Sequence, residues 1–239
     1  MKEHKAHMRL AVDSPDFENA SDEEIEAYLA SVAARRNMEP SEWQRSGGAA
    51  WDLSLVMLLA GLVGMAASLG LVLDQITLLK DPSAALACDI NPLIGCSTFL
   101  RSDFNTVLFG IPNALWGLMF FAGITALGLV CVFRTPLSVW IWRLLSLSMV
   151  GATVWLVWFQ WTALHVEHSL CPYCLVVWSV TIPLIVNVWA RAAQSGWIPA
   201  PPRLGRSAAR YRWLITGIVY LVLVGLIVVT FKDSWSYVL

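Results

Sequence analysis

Long apolar segments alternate with short polar ones along most of the chain. The five apolar segments cover about residues 51–73, 107–133, 138–164, 171–190 and 213–231. A transmembrane helix needs roughly 20 consecutive, mostly apolar residues, and each segment reaches that length. The sequence therefore predicts an all-α integral membrane protein with five transmembrane helices.

The first fifty residues follow a different, polar pattern. Ser21 and Glu24 have the spacing of a capping box, in which each side chain accepts a hydrogen bond from the backbone of the other residue. Apolar residues then recur at the spacing of one helix face, at Ile25, Tyr28, Leu29 and Val32. We expect a cytoplasmic segment over 1–50 with one short amphipathic helix, a five-helix transmembrane catalytic domain over 51–231 and a short external tail over 232–239. We expect no signal peptide, because the N-terminal residues lack an apolar region.

Composition and charge agree with a membrane protein. Hydrophobic residues make up 57% of the chain and charged residues only 14%, whereas a soluble domain carries roughly 25% charged residues. Residues 1–50 hold six Lys and Arg against ten Asp and Glu, and the remaining residues hold ten against seven. A net charge of −1 gives no basis for a nucleic-acid partner. We expect membrane lipid to surround the second part of the chain.

Basic residues lie mainly on one side of the predicted helices. That side contains Arg134, Arg143, Arg191, Arg203, Arg206, Arg210 and Arg212, with Arg35, Arg36 and Arg45 before the first helix, and the other side contains Lys80, Arg101 and Lys232. Short cytoplasmic loops are enriched in Lys and Arg. We therefore predict a cytoplasmic N-terminus and an external C-terminus. The long loop from Asp74 to Thr106 then lies outside, and loops of this length are commonly functional.

Four of the five cysteines fall on the predicted external side. Cys88 and Cys96 lie in the long loop, and Cys171 and Cys174 form a Cys-Pro-Tyr-Cys motif where the fourth segment begins. Cys131 lies near the cytoplasmic end of the second segment, and we interpret it as inert. Disulfides form in oxidising compartments, so this distribution is the one expected if the four external cysteines form redox pairs.

The Cys-Pro-Tyr-Cys motif has the features of a reactive pair. Pro172 suits the first turn of a helix, where its missing N–H is not needed. Free amides and the positive end of the helix dipole stabilise a thiolate at Cys171. Cys174 lies about 4.5 Å further along the helix axis. Such a pair is suited to pass electrons from an aqueous thiol to a lipid-soluble acceptor.

Four alternatives compete with this interpretation. The cysteines could serve packing, or form structural disulfides in a non-enzymatic membrane transporter or assembly subunit. A transporter usually has ionisable groups inside its spans, and only Arg143 lies well inside a predicted helix. Four cysteines could bind zinc, although the separation of Cys88 and Cys96 is wider than usual for ligands. A c-type haem needs a His after the motif, where Leu175 stands.

The membrane part of the chain, roughly residues 51–231, resembles the vitamin K epoxide reductase family in its bacterial, stand-alone form. The resemblance is carried, in this order, by Cys88-Asp-Ile-Asn-Pro-Leu-Ile-Gly-Cys96-Ser97, by Ser102, by Phe109-Gly110-Ile-Pro112 and by Cys171-Pro-Tyr-Cys174. DsbB-type oxidases use the same chemistry with their active Cys-x-x-Cys in the first external loop. The opposite order in this chain makes them analogues only.

The resemblance implies a four-helix bundle around a quinone, either ubiquinone or menaquinone, with a fifth transmembrane helix outside the bundle. It implies that Cys171 and Cys174 are the active-site pair, with Cys174 nearest the quinone. It implies that Cys88 and Cys96 are a shuttle pair, and that Ser102 lies at the quinone pocket and positions a quinone carbonyl.

The resemblance also implies a quinone-dependent oxidoreductase that forms protein disulfides. The enzyme would lie in the bacterial inner membrane with its active site facing the periplasm. We expect its reductant to be a separate periplasmic protein of thioredoxin fold, similar to DsbA, because the chain ends soon after the last predicted span. Our hypothesis is that this partner attacks the loop disulfide at Cys96 and that the freed Cys88 then attacks Cys171.

Two positions bear on the substrate. Trp178 stands where animal members carry a tyrosine, and its ring nitrogen cannot accept a hydrogen bond. Asn113 is the candidate for the pocket asparagine of those members. These differences favour a quinone over vitamin K epoxide as the acceptor.

Overall fold

A computed structural model describes residues 21–26, 28–29, 39–91 and 93–232 of the chain. The chain divides between Pro40 and Ser41 into two units. In the first unit, residues 22–26 and 28–29 are helical.

The predicted capping box of the first unit is confirmed. The backbone N–H of Ser21 donates to the Glu24 carboxylate at 3.0 Å, and the N–H of Glu24 donates to the Ser21 hydroxyl at 3.4 Å. Val32, Arg35 and Arg36, which the sequence also places near this helix, lie outside the described residues.

The second unit contains seven α-helices among its described residues. They are α1 (Glu42–Arg45), α2 (Trp51–Lys80), α3 (Ser97–Arg101), α4 (Asn113–Val132), α5 (Val139–Thr162), α6 (Pro172–Ser195) and α7 (Pro202–Thr230). A 3₁₀ helix spans Asp103–Thr106, and a π-helical turn over Ala163–Glu167 extends α5. Five helices, α2 and α4 to α7, are long and apolar enough to cross a membrane. The predicted all-α membrane fold is confirmed.

The ends of the membrane helices differ from the predicted ends. α2 continues to Lys80, and the N–H of Asp81 still donates to the Thr77 carbonyl at 2.9 Å. A polar residue such as Asp74 interrupts an apolar run without interrupting the backbone hydrogen bonds of a helix. α7 begins earlier than predicted, at Pro202, because proline is favoured in a first helical turn.

α2, α4, α5 and α6 form a bundle with a shared core. Its buried residues come from all four helices and include Leu53, Met57, Ile124, Trp142, Met149, Leu184 and Val188. α7 packs chiefly against α6, and few of its described residues are buried. This arrangement agrees with four helices in a bundle and a fifth against its outside.

Small residues allow α2 and α4 to approach closely. A Cβ atom added to Gly128 of α4 would lie 2.6 Å from the backbone nitrogen of Leu58 in α2. One added to Gly61 of α2 would lie 2.4 Å from Oγ1 of Thr125 in α4. Membrane helices commonly associate through such small residues. This contact fixes α2, whose end carries the cysteine loop.

Two tryptophans close the bundle at the end where α2 begins. The rings of Trp142 and Trp197 stack with their centroids 4.2 Å apart. Their indole N–H groups donate to the backbone oxygens of Gly47 and Gln44, both at 2.8 Å. The short helix α1 and the α6–α7 connection are thereby fastened to the bundle.

An ion-pair cluster links three membrane helices at the same end. Asp52 of α2 accepts hydrogen bonds from Arg191 of α6 at 2.7 Å and from Arg212 of α7 at 2.5 Å. All three side chains are partly buried. The cluster therefore connects α7 to α2 as well as to α6.

Candidate active site

The loop after α2 is folded by hydrogen bonds to two of its own side chains. The Asp89 carboxylate accepts from the backbone N–H groups of Cys96 at 2.8 Å and Ser97 at 3.0 Å. Burial acts to raise the pKa of Asp89, but these N–H groups lower it below its ordinary value, so the carboxylate stays ionised at neutral pH. Asn91 similarly accepts from the backbone N–H of Ile94 at 2.8 Å. These turns bring the two ends of the loop together.

Cys88 and Cys96 form a disulfide in this loop. Their Cα atoms are 5.7 Å apart. Cys96 is completely buried, and Cys88 retains 6% of its exposure. The two cysteines that the resemblance assigns to a shuttle pair are thus directly bonded to each other.

The loop is hydrogen-bonded to the segment that precedes α6. The N–H of Leu170 donates to the Leu93 carbonyl at 2.8 Å, and the N–H of Gly95 donates to the Leu170 carbonyl at 3.0 Å. His168, in the left-handed region at φ 49°, ends the π-helical turn and directs the chain into this contact. The two cysteine-bearing segments are consequently held side by side.

The contact between the segments brings a loop sulfur to the Cys-Pro-Tyr-Cys motif. Sγ of Cys96 lies 3.7 Å from Sγ of Cys171. Cys171 and Cys174 are both free thiols in this structure. The sequence-based hypothesis assigned the attack on Cys171 to Cys88. In the described state the sulfur of Cys96 contacts Cys171, because the fold of the loop buries Cys96 against the start of α6.

Cys171 occupies the N-cap of α6. Its Sγ accepts the N–H of Cys174 at 3.4 Å, and Pro172 follows at the first helical position, as predicted. The pKa of Cys171 is lowered, first by a hydrogen bond from the Cys174 thiol and then by the backbone N–H groups of Cys174 and Tyr173. Burial and the charge of Asp74 oppose this shift. The motif is thus arranged to stabilise a thiolate at Cys171.

An acidic side chain borders the disulfide. Oδ2 of Asp74, in α2, lies 3.2 Å from Sγ of Cys88. Candidate ligand atoms of Asp74, Cys88 and Cys96 all lie within 4.8 Å of one another. Two of these atoms are joined in the disulfide, whereas zinc binds thiolates. In the described state this cluster therefore has the chemistry of a thiol–disulfide exchange site.

A cavity of about 420 Å³ lies between the helices beside Cys174. Its lining is mostly apolar and aromatic, with Leu71, Phe99, Phe104, Trp116, Phe120, Trp155, Phe159, Cys174 and Trp178 among the wall residues. Apolar cavities with a few placed polar groups are typical of cofactor sites. The volume and the flat aromatic walls suit a planar, lipid-soluble ring.

Two polar atoms of the cavity wall are buried without a partner among the described residues. They are Oδ1 of Asn113 and Nε1 of Trp116, on the first turns of α4. The amide nitrogen of Asn113 donates to the Phe104 carbonyl at 2.6 Å, which fixes the side chain. Buried polar atoms are normally satisfied. A quinone carbonyl would accept a hydrogen bond from the indole N–H. A hydroxyl of the reduced quinone would donate one to the amide oxygen.

Ser102 is placed beside the cavity and is not among its described wall residues. Its hydroxyl donates to Glu167 at 2.5 Å and accepts the N–H of Phe104 at 3.2 Å. Phe104 itself is a wall residue. Ser102 therefore joins the loop to the end of α5 and orients one aromatic wall of the cavity.

Asp74 and Trp116 were absent from the sequence-based candidates. Asp74 has a sequence signal, since an acidic residue at the edge of an apolar span is commonly functional. Trp116 has none, because a tryptophan in a membrane helix is more often a packing or interfacial residue.

Comparison with protein families gives one match. The model of the family described as "Vitamin K epoxide reductase family" matches residues 55–189, which is more than half of the chain. Comparison with curated proteins and with solved structures gives no match. The matched residues run from the first turns of α2 to the last turns of α6 and include both cysteine pairs and the cavity. The chain belongs to the vitamin K epoxide reductase family.

Proposed function

We propose that the protein is a membrane oxidoreductase that passes electrons from a dithiol protein, through its two cysteine pairs, to a quinone. The observation that carries this proposal is the continuous path from the loop disulfide to the cavity. Cys96 lies 3.7 Å from Cys171, Cys171 is hydrogen-bonded to Cys174, and Cys174 forms part of the cavity wall.

The first exchange takes place at the loop disulfide. A thiolate of the partner bonds to Cys88, the Cys88–Cys96 bond breaks, and Cys96 takes the electron pair as a thiolate. Cys96 then attacks Cys171 of an oxidised Cys171–Cys174 pair, and Cys174 leaves as a thiolate. The partner's second thiolate releases Cys88 and completes the partner's own disulfide. Cys88 then attacks Cys96 as a thiolate, which re-forms the Cys88–Cys96 bond and releases Cys171 as a thiolate. The described state, with the loop pair oxidised and the inner pair reduced, is the one in which two electrons have reached Cys171 and Cys174.

Residues of the cavity are proposed to bind and orient the quinone. A bound quinone would supply the two-electron oxidant for the inner pair. The indole N–H of Trp116 and the amide of Asn113 are available as its polar partners. Phe99, Phe104 and Phe159 line the cavity and would limit the access of water to the bound ring. Ser102 is proposed to act at this pocket through Phe104, whose backbone N–H it binds.

The proposed function includes an orientation of the chain in the membrane. The excess of Arg in the loops at the end where α2 begins supports a cytoplasmic location for that end. The cysteines would then face the periplasm of a bacterial inner membrane. There a separate thioredoxin-fold protein, similar to DsbA, would supply the electrons and leave as a disulfide. Residues 1–50 would form the cytoplasmic segment, and residues 232–239 would form the external tail.

Thiol oxidation by the purified protein tests this function. We expect quinone-dependent oxidation of a reduced thioredoxin-fold dithiol protein, with one quinone consumed per disulfide formed. Cys171→Ala and Cys174→Ala should each abolish it, because each removes one sulfur of the inner pair. The matched control is Cys131→Ala, which removes a buried thiol at the other end of α4 and should retain activity. Absence of turnover with analogues of both ubiquinone and menaquinone, or full activity in either inner-pair variant, would contradict the proposal.

A further inference from the structure

Asp74 is an acidic side chain in contact with a reacting sulfur. Its Oδ2 lies 3.2 Å from Sγ of Cys88, and the side chain is half-buried near the end of α2. Asp74 forms no ion pair with a described residue. The charged and titratable groups that act on it are Asp89 and Cys171, and Cys96 belongs to the same cluster. Negative charge at this position is therefore not neutralised by a neighbouring cation in the described part of the chain.

The two sulfurs of the loop disulfide have unequal surroundings. During thiol–disulfide exchange the negative charge lies mainly on the attacking and the leaving sulfur, and the better leaving group is the sulfur that better supports a thiolate. A carboxylate within hydrogen-bond distance disfavours a thiolate at Cys88. Cys96, in contrast, lies 3.7 Å from the next sulfur in the path. The favoured direction is therefore the one in which the partner attacks Cys88 and Cys96 leaves as the thiolate.

We propose that Asp74 is a catalytic residue that directs the exchange, so that the partner bonds to Cys88 and the electron pair goes to Cys96. In this step one S–S bond forms between the partner and Cys88, and the Cys88–Cys96 bond breaks. When Cys88 is later released, it gains the proton that the partner's second thiol loses and donates it in a hydrogen bond to Asp74. Asp74 takes up this proton when Cys88 attacks Cys96 and the loop disulfide re-forms. The inference rests on the proposed function, because it assigns a direction to the same exchange.

Titration of Cys88 tests, without any partner protein, whether the charge of Asp74 disfavours a thiolate at Cys88. In a variant that retains Cys88 as its only cysteine, we expect Asp74→Asn to move the pH profile of iodoacetamide alkylation to lower pH. Below the midpoint the alkylation rate should rise about tenfold, as for a shift of one pH unit. Asp74→Glu keeps the charge and should move the profile less. Asp81→Asn, an exposed acid just after α2, is the matched control and should leave the profile unchanged. Coincident profiles for the parent and Asp74→Asn would overturn the proposal.

Trapping of the mixed disulfide tests the direction. A thioredoxin-fold partner that retains only its attacking cysteine should be recovered on Cys88 when Asp74 is present. In Asp74→Asn a measurable share should move to Cys96, as determined by mass spectrometry of the linked peptides. An unchanged distribution would overturn the directing role while leaving the proposed function intact. Failure to trap any mixed disulfide, together with a normal alkylation shift, would refute the partner exchange and not the effect of Asp74 on Cys88.

Discussion

At the scale of single residues, Cys171 combines burial with stabilisation of a thiolate. Its thiol is almost completely buried, which by itself disfavours charge. The N-cap position and the neighbouring Cys174 thiol outweigh this effect and lower the pKa of Cys171. The local chemistry of the motif, and not exposure to solvent, makes Cys171 the sulfur that can leave or attack.

Removal of Cys174 should therefore weaken the Cys171 thiolate. The Cys174 thiol is the largest cause of the lowered pKa of Cys171, and a lowered pKa keeps the thiolate present at lower pH. In a reduced protein without the other three cysteines, Cys174→Ala should move the Cys171 titration to higher pH. Thiolate ultraviolet absorbance across a pH series measures this shift. Cys174→Ser, which keeps a hydroxyl donor, should shift the titration less, and an identical midpoint in all three proteins would contradict the expectation.

The residues of the site were predictable in part. The four cysteines followed from the motif and the resemblance, because cysteine spacing and side of the membrane are readable in sequence. The contact of Cys96 rather than Cys88 with Cys171 was not, because it depends on how Asp89 folds the loop. The burial of the Trp116 indole N–H without a partner could not be predicted from the sequence either, because it depends on how the described helices pack.

At the scale of helices, the contact between α2 and α4 should tolerate no added side chain at Gly128. A Cβ there would lie 2.6 Å from backbone atoms of Leu58, so Gly128→Ala should lower stability by about 1–3 kcal/mol through overpacking. Thermal unfolding in detergent measures the loss. Gly123→Ala is the matched control on the same helix, because no atom lies within 4 Å of its added Cβ. Equal midpoints for the two variants would show that the helices do not approach as described.

The helices were also easier to predict than their ends. Hydropathy identified all five spans, because each presents an apolar surface to lipid. It ended α2 too early, because the polar residues near its end leave the backbone hydrogen bonds intact. The second span was predicted to begin at about residue 107, whereas α4 begins later, at Asn113. Just before the predicted start, the amide of Asn105 donates to Gln75 of α2 and to the Leu100 carbonyl.

At the scale of the whole molecule, α7 is attached to the bundle by two kinds of contact. It packs along α6, and Arg212 pairs with Asp52 of α2. The family match ends at residue 189, before α7 begins. The attachment of α7 is thus a property of this chain outside the matched region.

Loss of Asp52 should loosen this attachment. Asp52→Asn would leave the partly buried Arg191 and Arg212 without their counter-ion, at a cost of roughly 1–3 kcal/mol. The double variant Asp52→Asn with Arg212→Gln should lose less than the sum of the two single variants, because the residues share one interaction. Unfolding midpoints of the four proteins measure the coupling. Additive losses would indicate that the pair contributes nothing to the association of α7.

The position of Cys96 also has a consequence for the walls of the cavity. Cys96 is bonded to Cys88 and lies 3.7 Å from Cys171, so a change of bonding partner requires only a small rotation of one side chain. The hydrogen bonds that Leu170 forms with Leu93 and Gly95 need not break for this rotation. Phe99 and Leu100, which line the cavity, can thus keep their positions while the sulfur of Cys96 changes its bonding partner. The walls that would hold a quinone would then stay the same throughout an exchange between the two cysteine pairs.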